Sequence, residues 1–436
     1  MTREMKNSGV QWIGDIPKDW GVLAPRYWVT QRDAGNWGND ERGDEQDALC
    51  IRIADFDYTG YCIKKGYDYT VRNYPQGVIK NLTLKKGDII IEKSGGGDKF
   101  PVGRAVLYDL DVPALFANFS ERIRVDKAYS NKFMLYAFAA HYGLGLSRLY
   151  FNQTTGLQNL IMPKYMREVK LPLPPLSEQK AIADFLDEKC GEIDGLLADL
   201  DAEVKTLAEY KKSLIAETVT RGLNPNVPMK SSGIPWADTI PAHWKVEKFR
   251  YKLKPKKIVG QGDKEVLSVY REYGVVIKNS RDDNHNRTSE DTSNYKYVQP
   301  NDFVINKMKA WQGSMGVSDY EGIVSPAYFV YSFCDEDYLP KFFHYYMRNA
   351  NNIPEYRRLS GGIREGQWDL SPYDLGNMPI IVPPMEEQVA IADFLDTKCA
   401  AIDQAITDKT TQIETLKAYK ASLIYEYVTG KKQVAL

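Results

Sequence analysis

From residue 186 onward, apolar side chains recur at alternating spacings of four and three. Leu186, Ile193, Leu200, Leu207 and Leu214 make one row, and Cys190, Leu197, Val204 and Lys211 make a second, four positions beyond the first. At an offset of 209 the two rows return as Leu395, Ile402, Lys409, Leu416 and Leu423, with Cys399, Ile406, Ile413 and Lys420. A sustained spacing of this kind is the seam of a left-handed coiled coil, so the pattern predicts two long amphipathic helices. Pro175 and Pro384 stand just ahead of Glu-rich first turns, and Gly222 and Gly430 follow the last periodic turn as stop signals. At 1.5 Å per residue each rod would be roughly 65 Å long.

The stretches between the rods read differently. Short β-like runs such as GDIIIEK (87–93) and NDFVINK (301–307) are separated by frequent turns, which predicts mixed α/β or β-rich bodies. The rods open on PPLSEQKAIADFLDEKC (174–190) and PPMEEQVAIADFLDTKC (383–399), which match at 13 of 17 positions. A second shared segment, MKNSGVQWIGDIPKDWGV (5–22) against MKSSGIPWADTIPAHWKV (229–246), matches at 9 of 18. The chain is thus a constant start, a variable body and a constant helix, repeated once. Two long copies exclude a solenoid, which needs three or more short units, and point to an internal pseudo-dimer. If the two seams pack together, the second helix runs back antiparallel and ends beside the chain start; pairing of each rod with another chain is the alternative.

The expected fold is therefore α+β: two globular mixed α/β domains joined by two long antiparallel coiled-coil helices, with a pseudo-twofold internal repeat. The boundaries read as a first domain at 1–175, a spacer helix at 176–221, a linker at 222–246, a second domain at 247–384 and a second spacer helix at 385–436.

Composition adds constraints. A chain of 436 residues exceeds one ordinary core, and 43% hydrophobic with 26% charged residues is a usual balance for globular proteins. No apolar run reaches a membrane span, and the start lacks the apolar core of a signal peptide, so a cytoplasmic location without membrane contact is expected. The cysteines (Cys50, Cys62, Cys190, Cys334, Cys399) form no CxxC pair, and the histidines are few and scattered, so no metal site is expected. The net charge of −1 hides an asymmetry: residues 177–221 carry 11 acidic and 6 basic side chains, and 386–432 carry 8 and 6. The remainder is positive by about 6, a modest hint of a polyanionic partner.

These residues resemble a known family. The two PPxxEQxAIADFLD helix starts, the linker RGLNPNVPMKSSGIPWADTIPAHW and the paired variable bodies are similar to the specificity subunit of Type I restriction-modification enzymes. The resemblance covers almost the whole chain. It implies that each variable body is a target recognition domain reading one half of a split, asymmetric site on double-stranded DNA. It also implies that the helices form an antiparallel spacer docking two modification (methyltransferase) subunits, which two restriction (translocase/nuclease) subunits can join. S-adenosylmethionine, ATP and Mg would belong to those partners, and this chain would bind no cofactor.

Within the bodies, two kinds of segment carry candidate DNA contacts. After each β-like run comes a turn, KSGGGDKFPVGR (93–104) and KMKAWQGSMG (307–316). Lys93, Ser94, Lys99 and Arg104 in the first, with Lys307, Lys309, Trp311 and Gln312 in the second, combine phosphate-binding charge with an amide suited to adenine. Mobile hairpin tips and, for Trp311, simple packing are the plain alternatives. Further on, YFNQTTGLQNL (150–160) and LSGGIREGQWDL (359–370) hold equivalent places ahead of the rods. Their Asn152, Gln153, Thr154, Thr155, Arg364 and Gln367 are suited to base edges, with a polar loop as the alternative.

The helix seam is assigned to Leu186, Cys190, Ile193, Leu197, Leu200, Val204, Leu207, Leu395, Cys399, Ile402, Ile406, Ile413 and Leu416. The sequence has no [DN]PP[YFW] tetrapeptide, no GxxxxGK[ST] loop and no compelling nuclease cluster, so no catalytic residue is assigned. Two other readings remain at this point: a coiled-coil adaptor for two protein partners without DNA, and an enzyme with an unrecognised site.

Overall fold

The computed structural model describes residues 3–66, 68–154, 156–280, 291–362 and 368–434. The chain forms two compact units, one of Met1–Asp201 with Thr410–Leu436, the other of Ala202–Lys409. No helix of the described residues is long and apolar enough to cross a membrane.

The first unit is built on an antiparallel sheet of β1 (Val29–Ala34), β2 (Ile89–Glu92), β4 (Ala105–Leu107) and β5 (Ser120–Val125), in the order β4-β2-β5-β1. The unbroken apolar run of β2 is buried on both faces, as a central strand requires. Ile90 and Val106 pack with Ile51, Phe56 and Phe116, which belong to smaller neighbouring strands and turns. β3 (Ser94–Gly95) follows β2 directly and joins β6 (Phe151–Thr154) and β7 (Leu157–Leu160) in a separate sheet of order β3-β7-β6. Helix α1 (Asn131–Gly143) packs on β4, and Ser130 caps it by accepting from the Phe133 N–H.

The second unit repeats the pattern. Its sheet holds β8 (Leu253–Pro255), β9 (Phe303–Asn306), β10 (Met315–Val317) and β11 (Tyr328–Phe333) in the order β10-β9-β11-β8. Helix α3 (Pro340–Met347) packs on β10, and a short ladder pairs β12 (Ser360–Gly361) with β13 (Asp369–Leu370). Phe249, Phe303, Tyr331, Tyr338 and Phe343 fill the core, which continues into Ile391, Leu395 and Cys399 of the second long helix.

The two long helices are α2 (Leu176–Arg221) and α4 (Met385–Val428), each unbroken. The repeated motif at their starts is a joint. In the first unit Glu178 accepts from Trp20 Nε1 at 2.9 Å and pairs with Arg3. Gln179 donates to Pro174 O at 2.8 Å and accepts from the Ser130 N–H at 2.9 Å, while Asp187 accepts from the Tyr136 hydroxyl at 2.8 Å and pairs with Lys132. The second unit repeats the set, with His243 rather than an arginine beside its glutamate. Glu387 accepts from Trp244 Nε1 at 3.0 Å, and Gln388 donates to Pro383 O at 2.9 Å and accepts from the Leu339 N–H at 2.7 Å. Asp396 accepts from the Tyr345 hydroxyl at 2.7 Å and pairs with Lys341. The polar letters of the motif thus tie the segment ahead of each domain, the domain helix and the long helix together.

Both helices end on glycines in the left-handed region, Gly222 (φ +74°) and Gly430 (φ +72°). A Cβ at Gly222 would meet the Trp244 ring at 3.0 Å, and one at Gly430 would meet Pro17 at 2.4 Å, so these positions need both the backbone freedom and the small size of glycine. The end of α4 lies against the chain's first residues: Tyr425 donates to Trp12 O at 3.0 Å and Lys431 to Ile13 O at 2.8 Å.

The seams meet within the chain. Leu186, Cys190, Ile193, Leu197, Leu395, Cys399, Ile402 and Ile413 are buried, and Leu200, Val204, Leu207, Ile406 and Leu416 are half-buried. Burial raises the Cys190 thiol to about 11, the behaviour of a small apolar side chain. In the first unit Lys420 bonds Asp194 at 2.6 and 2.8 Å; in the second, Lys211 bonds Asp403 at 2.7 and 2.6 Å. Asp194 and Asp403, like Lys211 and Lys420, are equivalent repeat positions, so each repeat supplies the acid to one pair and the base to the other.

Candidate nucleic-acid interface

In the first unit the sheet β3-β7-β6 brings together two candidate segments more than fifty residues apart in sequence. Ser94 pairs with Asn159 and Gly95 with Gln158, while Asn152 and Gln153 pair with Asn159 and Gln158 from the other side. Cross-strand neighbours share a face, so Ser94, Asn159 and Asn152 form one row on the sheet. Ser94 Oγ donates to Asn159 Oδ1 at 2.9 Å. Gln158, on the opposite face, is buried and accepts from the Val102 N–H at 3.2 Å. Asn152 and Gln153 are exposed.

The basic residues divide. Lys93 anchors the sheet through its backbone, donating to Phe119 O at 2.9 Å and accepting from the Leu160 N–H at 2.7 Å, with its side chain half-buried. Lys99 is exposed on the following loop, its ammonium 5.5 Å from the exposed Phe100 ring. Arg104 does not join this face. Its Nε donates to the buried Glu92 at 2.8 Å, and its guanidinium lies 3.7 Å from the Tyr58 ring centroid, so it holds the strand turn together from inside.

The second unit presents the corresponding edge. Lys307 follows β9 as Lys93 follows β2, and its carbonyl accepts from the Leu370 N–H at 3.1 Å as that of Lys93 accepts from Leu160. Lys307 Nζ donates to Asp369 at 3.1 Å. Lys309 is exposed, and Trp311 and Gln312 are half-buried in the short turn Ala310–Gln312. The Trp311 ring lies 5.6 Å from that of Trp368, and the Arg357 guanidinium lies 6.0 and 5.5 Å from the two centroids. Trp311 therefore packs in an aromatic-cation cluster beside the edge. Thr155, Arg364 and Gln367 fall outside the described residues, as does the Thr154 side chain.

Comparison with known proteins bears on both units at once. A family model described as the Type I restriction modification DNA specificity domain matches residues 56–205 and 256–415. The chain belongs to that family. The specificity subunit of the EcoKI type I restriction enzyme of Escherichia coli K12 is 21% identical over 459 aligned positions, covering 95% of this chain and 91% of that one. The StySPI specificity subunit of Salmonella potsdam is 23% identical, covering 83% and 82%. Among solved structures, a chain from work on assembly and conformational transition of the type I R-M system shares the fold with a TM-score of 0.66 at 14% identity, covering 96% of this chain and 99% of that one. The HsdS subunit of Thermoanaerobacter tengcongensis gives 0.51 at 14%, covering 96% and 98%.

As a Type I specificity subunit, the chain carries two DNA-recognition domains. The structure adds Asn159, Gln158, Asp369, Trp368 and Arg357 to the residues at these edges, none of them singled out from the sequence. The first two were signalled: FNQT and LQNL flank a Thr-Gly pair, and Gly156 takes φ +83° at the turn, the mark of a tight hairpin whose second strand faces the same way as the first.

Proposed function

We propose that each recognition domain reads one half of a bipartite, asymmetric DNA site through the edge formed by β3-β7-β6 in one domain and by Lys307 with β12-β13 in the other. The helices α2 and α4 set the spacing between the half-sites. They also dock two methyltransferase subunits, which two restriction subunits can join. This chain supplies the address, while S-adenosylmethionine, ATP and Mg chemistry resides in the partners. The observation carrying this reading is that one backbone framework, marked by the shared Leu160-to-Lys93 and Leu370-to-Lys307 bonds, presents different side chains in the two domains. A constant frame with exchanged polar groups is what two readers of unlike sequences require. An adaptor without DNA would have no need for this difference.

The test is replacement of residues 23–173 by the corresponding body of another specificity subunit, followed by target mapping of the assembled methyltransferase. One half-site should change and the other should stay as it was. A change in both halves, or in neither, would contradict independent readers.

A further inference from the structure

The equivalent edges of the two domains differ in a way that names the base pairs they suit; the inference rests on the reading that each domain takes one half-site. The bonds from Leu160 to Lys93 and from Leu370 to Lys307 put β7 and β13 in the same relation to the preceding strand. Asn159 and Asp369, each one residue earlier, are therefore equivalent. Ser94 Oγ donates to the amide oxygen of Asn159 at 2.9 Å, so the amino end of that amide points away from Ser94. The amide oxygen keeps a second lone pair, so the group can still accept and donate together. Accepting from N6 while donating to N7 is the two-pronged match to adenine.

Asp369 offers the opposite chemistry. Its carboxylate only accepts, which suits the N4 amino group of cytosine, and Lys307, 3.1 Å away, only donates, which suits O6 and N7 of guanine. The pair thus holds one partner for each base of a single G·C pair. With side chains 32% and 50% exposed, it is a surface ion pair of little worth to folding, so stability does not explain its presence.

We propose that Asn159 reads an A·T pair through adenine in the first half-site and that Lys307 with Asp369 reads a G·C pair in the second. The test uses the full chain assembled with its modification subunits and selected on a random-sequence duplex library, comparing wild type with Asn159→Asp and Asp369→Asn. Both changes preserve side-chain shape, and unchanged melting temperatures would show intact folding. Asn159→Asp should lose about ten- to hundredfold of discrimination at one A·T position of the first half-site, with preference moving toward C·G and the second half-site unaltered. Asp369→Asn should do the converse at one G·C position of the second half-site.

Wild-type selectivity at every position in both variants would overturn the assignment. So would a uniform weakening across all sequences, the mark of a phosphate contact. In either case a bipartite wild-type target would leave the two-reader account standing. A wild type that selects no bipartite sequence would defeat that account itself, and the inference with it.

Discussion

Lys420 and Lys211 hold the same place in the two repeats yet sit in different surroundings. Lys420 is 8% exposed, bonds Thr59 O as well as Asp194, and lies 5.2 Å from the Tyr61 ring, whereas Lys211 is 28% exposed beside an Asp403 that is 56% exposed. Burial pushes the Asp194 carboxyl up, with Lys420 only partly opposing it, so taking these charges out of water is costly and neither can be left alone. Lys420→Ala should therefore lower stability by about 3 kcal/mol. Lys211→Ala should cost less than about 1 kcal/mol. Equal losses in thermal unfolding would show that the difference in burial has no energetic consequence. His141 gives a second residue-level expectation. It is 2% exposed, between Trp12 and Tyr165, and burial lowers its imidazole to about 4. Since the unfolded chain takes up that proton near pH 6.5, the native state is fully favoured above 6.5 and loses about 3 kcal/mol as pH falls toward 4. His141→Phe should flatten the decline of melting temperature across that window; an unchanged slope would remove His141 as its source.

At the scale of elements, the rods were the most legible part of the sequence, because a seam needs only local periodicity to show itself. Leu186 and Cys190, or Leu395 and Cys399, announce a buried stripe without any knowledge of the partner helix. The candidate edge was harder to see because its sheet is non-local. Ser94 meets Asn159 across a sequence separation of 65, and no spacing rule links them. Arg104 has a partner that spacing does not reveal: charge next to a glycine-rich turn suggests a phosphate, and the buried Glu92 that it bonds lies on the neighbouring strand. The element that can be altered most cleanly is the helix pair. Adding one heptad to both α2 and α4 at matching positions keeps the seam in phase and lengthens each rod by about 10 Å, the length of about three base pairs. The non-specific gap in the target should widen by that amount with both half-sites retained, as read by target selection. An unaltered gap with full activity would contradict a spacer role.

At the scale of the molecule, the repeat explains itself through its joints. Trp20 with Glu178 and Trp244 with Glu387 make the same contact in the two units, and the rest of the motif repeats with them, so the frame is duplicated in detail while the domain faces are not. Asn159 and Asp369 lie in the part that varies. A chain built this way fits the proposed presentation of two unlike readers to one duplex. The most direct test is to map methylated adenines in DNA exposed to this subunit assembled with its methyltransferase partners. The account predicts modification confined to one asymmetric sequence of two defined halves separated by a gap of fixed length and free composition. Modification at a single continuous site, at a palindrome, or without sequence preference would contradict it.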